Sequence, residues 1–187
     1  MSLESYVKNG EMYSFSDTDM QTMTKNKYNI YLYHELSKYT KIDEILGPNK
    51  GAIILFQNES ANSGHWCCIW LDDKDTLQFF DSYGLKPDDE LQYSQYNLRI
   101  HNNVAVPHLS HLIEQSNYKL EWSTYKLQKM KDKTNTCGRY AAYRLLHRDM
   151  SNEEFAKLLN ANKYYEPDFW ITILTAHYGS FNDPNNT

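Results

Sequence analysis

Three compact apolar runs, Ala52 to Phe56, Trp66 to Leu71 and Thr76 to Phe80, follow one another with only short polar segments between them. Each has the length of a strand rather than of a helix, and the turn between the last two is Asp72-Asp73-Lys74-Asp75. Runs so close together predict neighbouring strands of one sheet. On both sides the spacing changes to a helical one. Ser16-Asp17 opens a short helix with Met20, Met23 and Tyr28, and Ile30 to Leu46 carries Leu32, Tyr33, Leu36, Tyr39 and Ile42 at helical intervals until Gly47-Pro48 breaks the pattern.

Beyond the strands, Gly84 to Pro107 is polar with little periodicity. Leu109, Leu112 and Ile113 predict a helix after Pro107, Lys119 to Gln128 a fourth strand, and Lys129 to Thr136 a polar loop. Thr136 then stands as the N-cap of a helix over Cys137 to Met150, with Tyr140, Ala141, Leu145 and Leu146 on its buried face. Ser151 with Glu154 makes a capping box for a helix through Leu159, and Pro167-Asp168 opens a last one over Phe169 to His177. The order helices, strands, helices defines an α+β class.

With 187 residues, no repeat, no linker and no block of like charge, one domain spanning 1–187 is expected. A net charge of -5 argues against a general phosphate-binding surface. The three cysteines, two of them adjacent at Cys67 and Cys68, cannot make a disulfide framework and point to a reducing compartment: cytosol, nucleus or virion. One of the adjacent pair is expected in the core and the other partly exposed. The N-terminus lacks a basic segment followed by an apolar stretch, so neither export nor membrane insertion is expected.

Four places carry chemistry together: Gly64-His65-Trp66, Phe79-Phe80-Asp81-Ser82-Tyr83-Gly84, Gln128, and Thr136-Cys137-Gly138. His65 stands at the start of one strand and Asp81 just after the end of a later one, so pairing the two as a hairpin brings an imidazole to a carboxylate that can orient it. Cys137 at a helix N-terminus meets unpaired N–H groups and the positive end of the helix dipole, which favour thiolate. A nearby His65 would complete a nucleophile and base pair. Gln128 and the Cys137 backbone N–H can serve a developing oxyanion. Gly138 leaves the approach to sulfur free of a β-carbon, and Trp66 can wall the imidazole from water. A base at the rim of a site packs little, so His65→Ala is expected to spare the fold. Zinc is the competing use of His65 and Cys67, but no CxxC pair supplies spaced ligand couples, and no metal or cofactor is expected.

The order His-Trp, then apolar-Asp-Ser-Tyr-Gly, then Gln, then Cys-Gly opening a helix resembles the adenovirus proteinase and the SUMO-specific proteases, over about Ile53 to Leu146. The shortness of the chain makes it most similar to the small proteases of virophages and Polinton-type elements, of the mavirus type. The resemblance implies a cysteine protease fold, a central mixed sheet flanked by helices with the nucleophile at the N-terminus of a central helix. It makes His65 the general base, Asp81 its orienting acid, Gln128 the oxyanion-hole side chain and Cys137 the nucleophile, with Trp66 and Gly138 beside the substrate. It further implies a cysteine endopeptidase that cleaves capsid or other virion precursor proteins during maturation, located in the virion or the host-cell cytoplasm, with an activating peptide or DNA as a further partner. Gln128 lies nine positions before Cys137, a longer connection than the family usually has, and Asn135 is the substitute if Gln128 points elsewhere. The alternatives are a deconjugating protease for a ubiquitin-like modifier, a YopJ-type acetyltransferase with the same His-acid-Cys order, and a non-catalytic capsid or scaffold-binding protein.

Overall fold

The computed structural model describes residues 2–60, 63–94, 106–130 and 134–179. The chain begins with α1 (Leu3–Met12) and α2 (Asp17–Thr24), the second closed by a capping box between Ser16 and Asp19. Then come β1 (Asn29–Leu32), a 3-10 turn (Tyr33–Lys38) and α3 (Ile42–Leu46). Strands β2 (Gly51–Ser60), β3 (Ser63–Leu71) and β4 (Thr76–Phe80) follow, then a 3-10 turn (Asp89–Tyr93), α4 (His108–Glu114) and β5 (Lys119–Trp122). The helices α5 (Cys137–Leu146), α6 (Asn152–Leu159) and α7 (Pro167–Leu174) complete the fold, with a 3-10 turn at Ala176–Tyr178.

The five strands form one mixed sheet in the order β1-β2-β3-β4-β5. The central pairs β2–β3 and β3–β4 are antiparallel, whereas β1 and β5 each add an edge in parallel. Alternate residues of β2 serve opposite faces, as the two-residue period of a strand requires. Ile53 and Leu55 join Trp70, Phe80, Tyr140, Leu145 and Phe155 under α5 and α6, while Ala52, Ile54 and Phe56 join Leu36, Ile45, Ile69, Phe79 and Leu109 on the other side. This is the expected α+β class, a central mixed sheet flanked by helices.

Three expectations change. The stretch Ile30 to Leu46 is not one helix. Asn29 to Leu32 pairs with Ala52 to Leu55 as an edge strand, and only Ile42–Leu46 is α-helical. Ile30, Tyr31 and Tyr33 are β-branched or aromatic, which suits a strand, and the side chain of Glu35 accepts the Leu32 N–H and starts the 3-10 turn there. Cys67 and Cys68 are both fully buried, because β3 is the central strand and is covered on both faces. The predicted fourth strand shortens to Lys119–Trp122. Parts of two polar stretches, residues 95–105 of Gly84 to Pro107 and 131–133 of Lys129 to Thr136, lie outside the described residues. Among the described residues no helix is long and apolar enough to cross a membrane.

Candidate active site

His65 lies near the start of β3 and Asp81 directly after β4. The antiparallel register pairs Cys68 with Phe80, and its continuation sets Cys67 beside Asp81 and His65 beside Tyr83. Each of these neighbours makes a contact. His65 Nε2 is 3.1 Å from Asp81 Oδ1, Cys67 Sγ donates to Asp81 Oδ2 at 3.4 Å, and the Tyr83 ring stacks on the imidazole with centroids 4.4 Å apart. The Tyr83 N–H also donates to Asp81 Oδ1, at 2.6 Å. Asp81 is thus fully buried and held by three groups, so its carboxylate presents one fixed edge to the histidine.

His65 itself is only 4% exposed, which places it in the interior and not at a rim. Burial works against the charged imidazole, but the Asp81 carboxylate and hydrogen bonds to Asp81 and Cys137 outweigh it and hold the His65 pKa well above 6.5. With Nε2 committed to Asp81, Nδ1 is the ring nitrogen left for Cys137. Burial, reinforced by Asp81, pushes the Cys67 thiol well above its ordinary value, so Cys67 remains a thiol that donates to the carboxylate.

Cys137 is the first residue of α5, as expected, and Thr136 is its N-cap residue. The Thr136 side chain makes no cap bond, however. Its hydroxyl instead donates to Asp168 Oδ1 at 2.6 Å, so no side chain of the cap covers the first-turn N–H groups. Arg139, buried in the same turn, anchors the helix by donating to the Gly10 carbonyl and to Thr175 Oγ1. A β-carbon on Gly138 would lie 2.9 Å from Phe15 Cβ and 3.3 Å from Trp66 Cδ1. Gly138 therefore lets α5 settle against Phe15 and Trp66. Trp66 also lines a cleft of about 680 Å³ bounded by Phe15, Ile30, Leu32 and Leu55, with Asp17 and Glu35 at its wall.

Gln128 is tied to both partners of the site. Its Oε1 accepts from Ser82 Oγ at 2.7 Å, and its Nε2 donates to the Thr134 carbonyl at 3.2 Å. A carbonyl can only accept, which fixes the orientation of the amide, and its second N–H remains over. The Ser82 carbonyl takes the N–H groups of Leu127 and Gln128, and Tyr140, on the first turn of α5, donates to the Leu127 carbonyl. Gln128 is therefore strapped between the Asp81-Ser82 turn and the start of α5. Asn135 is engaged elsewhere: its side-chain amide donates to the Met12 carbonyl and its backbone N–H to that of Glu11.

The Asp-Ser-Tyr-Gly run is used at every position. Asp81 orients His65, Ser82 holds Gln128, Tyr83 stacks on the imidazole, and Gly84 adopts φ +76°, where a β-carbon would also meet the Thr124 carbonyl oxygen at 2.7 Å. The sequence reading missed the parts played by Cys67, Ser82 and Tyr83, although the strand register alone places Cys67 and Tyr83. A ring nitrogen of His65, Cys67 Sγ and a carboxylate oxygen of Asp81 lie within 4.8 Å of one another, a donor set of the kind that zinc takes. Here those atoms are hydrogen-bonded among themselves through Asp81.

A second carboxyl group stands close by. Glu90, 2% exposed, accepts from Asn58 Nδ2 through Oε2 at 3.0 Å, while Oε1 has no hydrogen-bond partner among the described residues. Burial pushes its pKa up to about 7, with Asp81 adding to the effect and His65 opposing it. The folded state therefore retains a proton that the unfolded chain loses above about 4.5, so this group's contribution to stability falls as pH rises through about 7. Glu90→Gln should stabilise the protein at pH 8 by at most about 3 kcal/mol, with the advantage shrinking toward pH 5. Urea unfolding of both proteins at the two pH values checks this, and an advantage independent of pH would contradict it.

The fold and site together define an α+β protein with a buried histidine set between an aspartate and a cysteine at a helix start. No family model matches the chain. It is 36% identical over 172 residues to "Uncharacterized protein V9" of the Sputnik virophage, a match covering 90% of this chain and 98% of that protein. The chain belongs to the family of this virophage protein.

Proposed function

We propose that the protein is a cysteine endopeptidase acting on virion precursor proteins. The observation that carries this reading is His65 held between Asp81 and Cys137 at the N-terminus of α5. Cys137 Sγ attacks the carbonyl carbon of the scissile bond while its proton passes to His65 Nδ1. The oxyanion meets the free N–H of Gln128 and the backbone N–H of Cys137. His65 returns the proton to the leaving amine as the C–N bond breaks and a thioester forms. Water then attacks the thioester, its proton going to His65, and the C–S bond breaks to release the carboxylic acid. Asp81 holds the imidazole in place and stabilises its charged form throughout. Membership of a virophage family supports a substrate among virion proteins.

The test exposes a diverse peptide library, and then virion precursor proteins, to wild type and Cys137→Ala under reducing conditions and reads new N-termini by mass spectrometry. Cleavage by wild type alone is expected. Acetyl transfer from acetyl-CoA with no new termini would instead assign the transferase alternative, and cleavage confined to a ubiquitin-like conjugate would assign the deconjugating one. Gln128→Ala should lower kcat by about 10²- to 10³-fold with little change in KM, since the amide meets charge that develops only in the transition state. Steady-state kinetics check this, and an unchanged kcat would remove Gln128 from the oxyanion site.

A further inference from the structure

The segment between Gln128 and Cys137 must bring two parts of one site to a fixed separation, and a residue far away in sequence closes it. Asp168, on the first turn of α7 and buried, accepts the Lys129 N–H through Oδ2 at 3.0 Å and the Thr136 hydroxyl through Oδ1 at 2.6 Å. Lys129 directly follows Gln128, and Thr136 directly precedes Cys137. One carboxylate thus bridges both ends of the connection. The Tyr140 hydroxyl, which donates to the Leu127 carbonyl, also neighbours this carboxylate, and Lys129 Nζ pairs with Glu166 Oε1 at 2.6 Å, just before α7.

We infer that Asp168 is a positioning residue, a buried clamp that sets the separation of the Gln128 amide from the Cys137 turn and so shapes the oxyanion site. Two geometric consequences follow. The clamp holds the backbone at Lys129 so that the Gln128 side chain is aimed by Ser82 and Thr134 alone. It also draws the Thr136 hydroxyl off the helix end, where that hydroxyl would otherwise cap the N–H groups the oxyanion needs. The charge of Asp168 is matched by donors on both sides, whereas an asparagine would turn an amide toward one of them.

The inference rests on the cysteine protease reading, and the experiment separates the two. Wild type and Cys137→Ala are compared first on a cleavable peptide, and equal behaviour there would fell the protease reading itself. Given wild-type cleavage, Asp168→Asn should lower kcat by about 10- to 100-fold with KM little changed, the scale on which misplaced supporting groups act. Alkylation of Cys137 by iodoacetamide needs the thiol but no oxyanion site, and its rate should stay within about 3-fold of wild type. An unchanged kcat would overturn the inference. So would a parallel fall of kcat and of the alkylation rate in folded protein, which marks damage to the thiol itself rather than to the oxyanion site. Thr136→Val, which removes only the donated hydroxyl, should reproduce the loss of kcat, and Thr136→Ser should restore it. This pair decides the matter if Asp168→Asn does not fold.

Discussion

Cys137→Ala should reduce peptide hydrolysis by on the order of 10⁶-fold, the scale on which loss of the nucleophile costs covalent hydrolases. Cys137→Ser should fare nearly as badly. It keeps the size of the side chain, but a hydroxyl is a far weaker nucleophile than a thiol beside the same imidazole. Neither change should disturb the fold much, because the side chain is small and Arg139, Tyr140 and Gly138 anchor the first turn of α5 independently of the sulfur. The same variants bear on selectivity. Cys67 and Cys68 have no exposed surface, whereas Cys137 keeps 6% of its own, and burial pushes the Cys67 and Cys68 thiols above their usual range. Iodoacetamide should therefore label native protein at Cys137 alone and denatured protein at all three cysteines. Peptide mapping reads the labelled sites. Hydrolysis that survives in Cys137→Ala, or labelling of Cys67 in native protein, would remove Cys137 from its assigned role.

What the sequence made legible was local. The three apolar runs are β2, β3 and β4, and Ser151 with Glu154 caps α6 as its spacing implies. Cys137 at a helix start follows from the change of polar loop to helical pattern. The meeting of His65 with Asp81 follows from antiparallel pairing of neighbouring strands, for which the short turn at Asp72 to Asp75 leaves little choice.

What stayed hidden depends on parts of the chain that carry no mutual signal. Ile30 to Leu32 became a strand because β2 offered a parallel edge, and apolar residues at helical intervals satisfy that edge equally well. Asp168 reads as an ordinary acidic residue in the first turn of a helix, favourable there on dipole grounds alone. Only the packing of α7 against α5 aims it at Thr136. The same applies to the burial of His65. From sequence it sits at the mouth of a strand, whereas the stack on Tyr83 and the packing of α5 across β3 close over it.

That burial gives His65→Ala a second effect besides the loss of the base. Activity should fall by on the order of 10⁶-fold, since a nucleophile without its base is about as damaged as one removed. Stability should fall as well, against the expectation for a base at a rim. Removing the imidazole leaves the Asp81 carboxylate, fully buried, with the Tyr83 N–H and the Cys67 thiol as its donors among the described residues. Loss of one partner of a buried pair costs about 3 to 5 kcal/mol. The sign of the pH dependence follows from the raised His65 pKa: the pair's stabilisation is fully present below 6.5 and is lost only as pH climbs through the elevated folded value. Urea unfolding at about pH 5, below the unfolded value, therefore sees the whole effect. His65→Gln, which keeps an N–H donor within reach of Asp81, should recover much of the stability and none of the activity. A His65→Ala protein as stable as wild type would mean that Asp81 does not depend on the imidazole. The orienting role of Asp81 would then fail together with the buried pair.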